Sequence, residues 1–322
     1  MKFSIIVVTY NQDENSILMT LKSIINQTFQ DYEIIISDDG SSDNHFEDIE
    51  RFFQLHKFTG YKLVPHEMNQ GTVKNFCSAL EYAKGNYVRG FGAGDLFYHE
   101  DSLKDLYEYM EKNGCEACFG LLRGYYLNAD GGMSYGDYTH PYDIVAYRKK
   151  DCRDRILKNL ILYGDHVFGA AICYKKDFLV EYLERIEDKV VYLEDIIQVM
   201  ASLDGRFVHF YDDYVAWYEM KTGVSNRKGS NRSERIRRDF DSFYELIYAQ
   251  YGDNRFVKKR RKLSFLYKIN DLYFRTACRV FFNPDSARFV LNHILQKMSG
   301  KYTLKELGVK LLKKETLYTK VQ

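Results

Sequence analysis

The first hundred residues alternate between two kinds of segment, and this alternation narrows the fold more than anything else in the chain. "FSIIVV" (3–8) is a continuous apolar run rich in β-branched residues, the mark of a strand buried on both faces. "ENSILMTLKSIINQ" (14–27) instead spaces Ile17, Leu18, Leu21, Ile24 and Ile25 at helical intervals. "YEIIIS" (32–37) predicts a second buried strand, closed by the turn-forming "DDGSSD". A helix over 45–56, a strand over 61–66, a helix over 72–85 ended by Gly85, and a strand over 86–92 continue the rhythm. Such repetition implies right-handed crossovers and a mainly parallel sheet, so the expected class is α/β. Ligands of these sheets bind beyond the carboxyl ends of the strands. The polar residues that follow each strand are therefore the candidates: Thr9, Tyr10 and Asn11; Asp38 and Asp39; His66; and Asp95.

Beyond residue 100 the rhythm is lost. A helix over 101–112 precedes "EACFGLLRGYYL" (116–127), and a Gly- and Tyr-rich stretch to about 147 reads as loop or hairpin. Helices are expected near 177–187 and over 193–203, and two late strands over 206–211 and 214–219. "SNRKGSNRSERIRRD" is then polar and basic, and apolar periodicity returns only in "DSFYELIYAQY" (241–251). This shift places a boundary near 222–230, dividing an α/β domain (1–225) from a mainly helical, basic and aromatic region (226–322).

Composition excludes some classes. With 45% hydrophobic residues and 3 Pro the chain is not of the disordered type, and a net charge of +1 gives no overall case for nucleic acid. The apolar run near the amino terminus spans about six residues, too short for a signal-peptide core. No stretch approaches the roughly 20 apolar residues of a membrane span. The expectation is a cytoplasmic protein whose six cysteines are reduced. "CEAC" (115–118) has CxxC spacing but no second CxxC to complete a zinc site, so two structural thiols are favoured.

Four stretches, "SIIVVTYNQ", "YEIIISDDGSSD", "NQGTVKNFCSALEYAKGNYVRGFGAGD" and "YLEDIIQ", occur in that order. Together they resemble the family 2 glycosyltransferases, enzymes of GT-A fold that use nucleotide sugars. The resemblance covers roughly residues 3–225. It implies a UDP-sugar donor, transfer to an acceptor hydroxyl with inversion at the anomeric carbon, and a setting in surface polysaccharide or glycolipid assembly. The acceptor would be a saccharide or lipid-linked saccharide.

The carboxylates Asp38 and Asp39 suit hydrogen bonds from a uracil imide or ribose hydroxyl, although "DDGSSD" alone is equally a turn. The resemblance gives the base contact to Asp39, with Thr9 lining the same pocket and Tyr10 at its edge. Lys74 and Asn75, early in the third helix, are further candidates for the donor side, against the default of a solvated face.

Asp95 matches the last member of an acid cluster in the family, but Gly92 and Gly94 stand where acids often stand. One Asp with diphosphate oxygens and waters still suits Mg²⁺ or Mn²⁺. A helix-capping role for Asp95 competes. In "LEDIIQ" the resemblance makes Asp195 the catalytic base and Glu194 its neighbour. A carboxylate at a helix start is favoured as the anion, the form a base requires, though acids at helix starts are common for structural reasons alone. Lys221 falls where some relatives carry a metal-binding His, and as a cation it would pair with the diphosphate directly. Asp165 and His166 fall in a region that lines the acceptor side in the family.

The carboxyl-terminal "KKRRK", followed by Phe, Leu and Tyr, fits either an interfacial segment on anionic lipid or a helical appendage packed on the domain or on a second copy of the chain. The rival to an enzyme is a non-catalytic nucleotide-sugar-binding partner subunit with a decayed acid cluster. "GAGD" speaks for it; "LEDIIQ" and "DDGSSD" speak against it.

Overall fold

The computed structural model describes residues 1–127, 133–137, 140–149, 151–220, 230–269, 272–284, 286–287 and 289–291. Strands β1 (Phe3–Thr9), β2 (Tyr32–Asp38), β3 (Tyr61–Pro65) and β4 (Tyr87–Gly92) run parallel, in the spatial order β3-β2-β1-β4. Helices α1 (Glu14–Ile25), α2 (Phe46–Leu55) and α3 (Thr72–Leu80) connect them. Ile5, Ile6 and Val7 of β1 and Ile34, Ile35 and Ile36 of β2 are fully buried, which is why these strands show no polar alternation. Asp13 caps α1, accepting the Ser16 N–H at 2.9 Å.

After β4 the sheet changes direction. A two-residue strand, β5 (Leu96–Phe97), leads into α4 (Ser102–Asn113) and then β6 (Ala117–Leu127). β7 (Met133–Asp137) folds back antiparallel on β6, so part of the Tyr- and Gly-rich stretch is a hairpin. α5 (Ile144–Arg148) and α6 (Arg153–Lys158) precede β8 (Ile172–Lys175), which lies antiparallel between β4 and β6. α7 (Lys176–Glu184) and α8 (Ile197–Leu203) then lead to β9 (His209–Glu219), parallel to β6. Two reversals thus return β6 and β9 to the direction of β1. The carboxyl end of β9 therefore points toward the same edge as those of β1, β2 and β4.

The two late strands expected over 206–211 and 214–219 are one strand, β9. Its first half is only partly buried and pairs with β6 through register shifts near Phe119–Leu122. An irregular, solvated half-strand tolerates Asp212 and Asp213, whose charges break the apolar pattern. The helix expected over 241–251 starts much earlier, as α9 (Ser230–Gln250). α10 (Arg255–Lys262), α11 (Ser264–Tyr267) and α12 (Leu272–Phe282) follow.

The helical region is packed into the main core. Phe243, Tyr244, Ile247 and Val257 belong to the same buried cluster as the central strands. Even the basic run contributes to packing. Arg260 is buried, donates to the Ile161 carbonyl at 2.7 Å, and is sandwiched between the rings of Tyr244 and Tyr267 at 3.4 and 3.7 Å.

Candidate active site

A cavity of about 830 Å³ opens at the carboxyl edge of the sheet. One side is built from the ends of β1 and β4 and the first turn of α3. The opposite side comes from the 164–170 segment, the 192–196 turn, the end of β9 and one face of α9.

On the first side, neighbouring residues divide the work. Asp39 lines the cavity, and its oxygens accept the Gln70 and Gly71 N–H groups at 2.7 and 2.9 Å. A carboxylate offers about four acceptor positions, so capacity remains for a ligand donor. Burial raises its pKa, and the two backbone donors oppose that shift. Asp38 is absent from the cavity wall. It accepts the Thr9 hydroxyl at 2.8 Å and both the N–H and hydroxyl of Ser41, at 2.8 and 2.6 Å. Of the two, only Asp39 is thus open to a ligand, while Asp38 ties β1 to the turn after β2.

Thr9 and Tyr10 are on the wall; Asn11 is not. Asn11, at φ 47°, donates its N–H to the Ser41 hydroxyl and accepts the Ser42 N–H, fixing the loop behind the wall. On α3, Thr72, Asn75 and Phe76 face the cavity. Lys74 points to solvent near Asp188, 4.0 Å away, because it lies on nearly the opposite face of α3 from Thr72, Asn75 and Phe76. His66 is off the wall and sits near the Ser37 hydroxyl and Gln70.

Asp95 is buried on the wall, with Oδ1 accepting the Glu219 N–H at 3.0 Å. Burial pushes its carboxyl up to about 7; the Glu219 and Gly92 N–H groups oppose the rise and the Glu219 carboxylate adds to it. It does not cap the helix that follows, where Asp101 holds the capping position. The two neighbouring glycines differ. Gly92 has only Asp95 Oδ2, at 3.6 Å, near the place of a Cβ. Gly94 has φ 99°, donates its N–H to Thr20 Oγ1 at 2.8 Å, and accepts the Tyr125 hydroxyl. A side chain at 94 would be strained by its backbone alone.

Opposite, Glu194 and Asp195 open a 3₁₀ turn (Glu194–Ile196) just before α8. Asp195 Oδ2 accepts the Gly169 N–H at 3.0 Å, and a Cβ on Gly169 would meet Glu194 Oε1 at 2.7 Å. The pair is therefore packed tightly against this segment. Burial raises both carboxyls, and the Asp195 charge further opposes ionisation of Glu194. Asp195 has the extra N–H donor, so the shared proton resides preferentially on Glu194.

Asp165 is not on the wall. It is buried, accepts the Tyr142 and Asp143 N–H groups at 2.6 and 3.1 Å, and holds that loop in place. Burial raises its carboxyl to about 7. His166 does face the cavity. Its ring stacks on Phe240, and burial, aided by the Arg260 charge, lowers it to about 4, so it is neutral. Its buried Nε2 has no partner among the described residues and is available to a ligand hydroxyl. Lys221 lies outside the described residues.

Sequence reasoning missed Glu219, Tyr192 and Arg235, all on the wall. Glu219 was reachable by applying the strand-end rule to the last strand as well as the first four. Arg235 was not, because "SERIRRD" carries no sign of which of its cations turns inward.

The wall combines five carboxylates with one Lys or Arg among its described residues. Among the described residues no three His, Cys, Asp or Glu converge to hold a metal. A cage of protein ligands is therefore not present there. The Asp95 carboxylate on the wall does fit an ion shared with substrate phosphates.

Comparison with known proteins bears on the family and the fold. The sequence matches the family Glycosyl transferase family 2 over residues 4–170. It is 34% identical over 129 residues to the poly(ribitol-phosphate) β-N-acetylglucosaminyltransferase TarP of Staphylococcus aureus (strain N315), covering 37% of this chain and 36% of TarP. It is 30% identical over 129 residues to a poly(ribitol-phosphate) β-glucosyltransferase of Bacillus spizizenii, covering 38% of this chain and 19% of that one. The chain thus spans about a third or less of these curated relatives. The S. aureus TarS 1-349 structure in complex with UDP-GlcNAc superposes with a TM-score of 0.52 at 19% identity, over 77% of this chain and 67% of that one. The mannosyltransferase PcManGT from Pyrobaculum calidifontis, in complex with GDP-Man and Mn²⁺, gives 0.56 at 15% identity, over 94% and 82%. At these identities the structures show a common fold.

Proposed function

The chain belongs to glycosyl transferase family 2, and from that premise we propose that it transfers a sugar from a UDP-sugar to an acceptor hydroxyl, inverting the anomeric carbon. The observation that carries this reading is the placement of Asp39 and Asp195 on opposite sides of one cavity at the carboxyl edge of the sheet. Asp39 and Thr9 hold the uridine. The sugar and diphosphate lie over Gly92 and Asp95, toward the acid pair. Asp195, held by the Gly169 N–H, takes the proton of the attacking hydroxyl. Glu194 keeps the pair near a single charge, which spares the site a second buried anion. Asp95 is the residue that would hold Mn²⁺ or Mg²⁺ together with diphosphate oxygens; such an ion would supply positive charge for the leaving group. His166 and Tyr218 face the same space and suit contacts to sugar or acceptor hydroxyls.

The acceptor is a saccharide or lipid-linked saccharide of a surface polymer, and the site of action is the inner face of a membrane. Similarity to enzymes named for poly(ribitol-phosphate) supports a hydroxyl-bearing polymer as acceptor. Exposed aromatic and basic side chains on α10–α12 support the membrane site of action. Among the described residues no helix is long and apolar enough to cross a membrane.

The test is UDP release from a panel of UDP-sugars with a polyol-phosphate acceptor, by wild type and Asp195→Asn. Loss of a positioned general base lowers kcat by roughly 10²–10⁴-fold. UDP affinity should stay within about threefold, because Asp195 is assigned to the acceptor proton and not to the nucleotide. Equal turnover by the variant would remove Asp195 from the mechanism. Wild type that binds UDP-sugar but releases no UDP with any acceptor, or by slow hydrolysis, would favour the non-catalytic partner instead.

A further inference from the structure

A nucleoside diphosphate entering this cavity meets carboxylates on all sides: Asp39, Asp95, the Glu194–Asp195 pair and Glu219. The neutral His166 offers no positive charge. Arg235 of α9 is the only Lys or Arg among the described wall residues. It is exposed, and no described carboxylate pairs with it. Its one hydrogen bond is Nη1 to the Tyr192 hydroxyl at 3.3 Å, with the guanidinium 5.9 Å from that ring. Both contacts are weak, so the cation remains available. Arg89 shows the opposite case. It is fully buried, and its guanidinium is committed to the carbonyls of Ile172 and Ala170.

The backbone that carries Arg235 is anchored. Asp239, one turn further along α9, is buried and accepts the Val191 and Tyr192 N–H groups at 3.1 and 2.7 Å. Ile236 and Phe240 of the same helix line the cavity beside it. The fold thus fixes where the α carbon of 235 sits relative to the acid pair and leaves the guanidinium to a ligand.

We infer that Arg235 binds the donor diphosphate and neutralises it as UDP leaves. A guanidinium is always charged and presents a planar fork that matches phosphate oxygens. The inference rests on the UDP-sugar reading above. It makes α9, which follows the compositional boundary, a working part of the donor site. It also supplies from a helix some of the charge compensation that "GAGD" leaves short.

The experiment is calorimetric titration of wild type, Arg235→Ala and Arg235→Lys with UDP and separately with uridine, all in EDTA. Loss of a hydrogen-bonded charge pair predicts that Arg235→Ala weakens UDP by roughly 10–100-fold. Uridine affinity should stay within about twofold, since the nucleoside has no phosphate, and Arg235→Lys should recover part of the loss. UDP affinity unchanged in Arg235→Ala, with wild type binding well, would overturn the inference and leave the UDP-sugar reading standing. An equal loss for UDP and uridine would also overturn it, by showing that Arg235 acts through the packing of α9. Wild type that binds neither compound in EDTA, nor UDP when Mn²⁺ is restored, would remove the UDP-sugar reading itself, and the inference with it.

Discussion

Asp95 is a residue that the fold carries at a cost. Its carboxyl is raised to about 7 by burial, so the folded chain holds a proton that the unfolded chain releases near 4. The folded state binds more protons between those values, and stability contributed there falls as pH rises through about 4 to 7. Asp95→Asn keeps an oxygen to accept the Glu219 N–H and removes the buried charge. One pKa unit of relief is about 1.4 kcal/mol, or roughly 2–4 °C in melting temperature. Thermal unfolding should therefore show the variant at least that much more stable at pH 7.5 and unchanged at pH 4. A lower melting temperature at pH 7.5 would mean that a cation already compensates the charge. The same scale shows what sequence can and cannot say about a site. Residue types at strand ends were legible, but the direction of each side chain was not. Asp38 and Asp39 are adjacent, and successive side chains of an extended chain point opposite ways, so one meets the cavity and the other the turn. Lys74 and Asn75 diverge for the helical version of the same reason.

At the scale of elements, the parallel β1–β4 unit was readable because its strands are buried on both faces and its helices on one. The later elements were harder. β9 hides its continuity behind a solvated, bulged half, and α9 begins in a polar stretch whose inward side chains are few. α9 is held by the core packing of Phe243, Tyr244 and Ile247 and, nearer the cavity, by one buried carboxylate. Asp239 holds the 191–192 backbone, and Val191 in turn accepts the Val73 N–H at 3.0 Å and packs against Gly71, whose own N–H binds Asp39. This connection links the Asp39 side of the cavity to the acid pair through backbone contacts. Asp239→Ala leaves the part-buried Val191 and Tyr192 N–H groups without that acceptor, at up to roughly 1–3 kcal/mol each. The expected outcome is a lower melting temperature, faster amide exchange at Val191 and Tyr192 than elsewhere in the core, and a fall in kcat larger than the rise in KM. Unchanged exchange at those two amides would show that the 190–193 segment is held by other contacts.

The whole molecule separates its charges. Between 255 and 291 there are ten Lys and Arg against two acids, although the full chain is only +1. In the same region Phe265, Phe281 and Phe282 are 48%, 79% and 51% exposed and form one cluster, with ring centroids 5.2 and 5.1 Å apart. Aromatic rings beside cations suit an anionic lipid surface. Vesicles with 30% anionic lipid, roughly, should sediment with the protein at low salt and release it as salt screens the attraction, and replacing the three Phe by Ser should weaken capture without lowering UDP affinity. Equal capture by neutral and anionic vesicles, or none by either, would contradict a charged-membrane contact. The catalytic account depends most on the cavity being a uridine diphosphate site. Its most direct test is calorimetric titration of UDP into the full chain, with Mn²⁺ and with EDTA, alongside GDP. The account predicts one UDP site per chain and much weaker GDP binding; an absence of UDP binding under both conditions, or a preference for GDP, would contradict it.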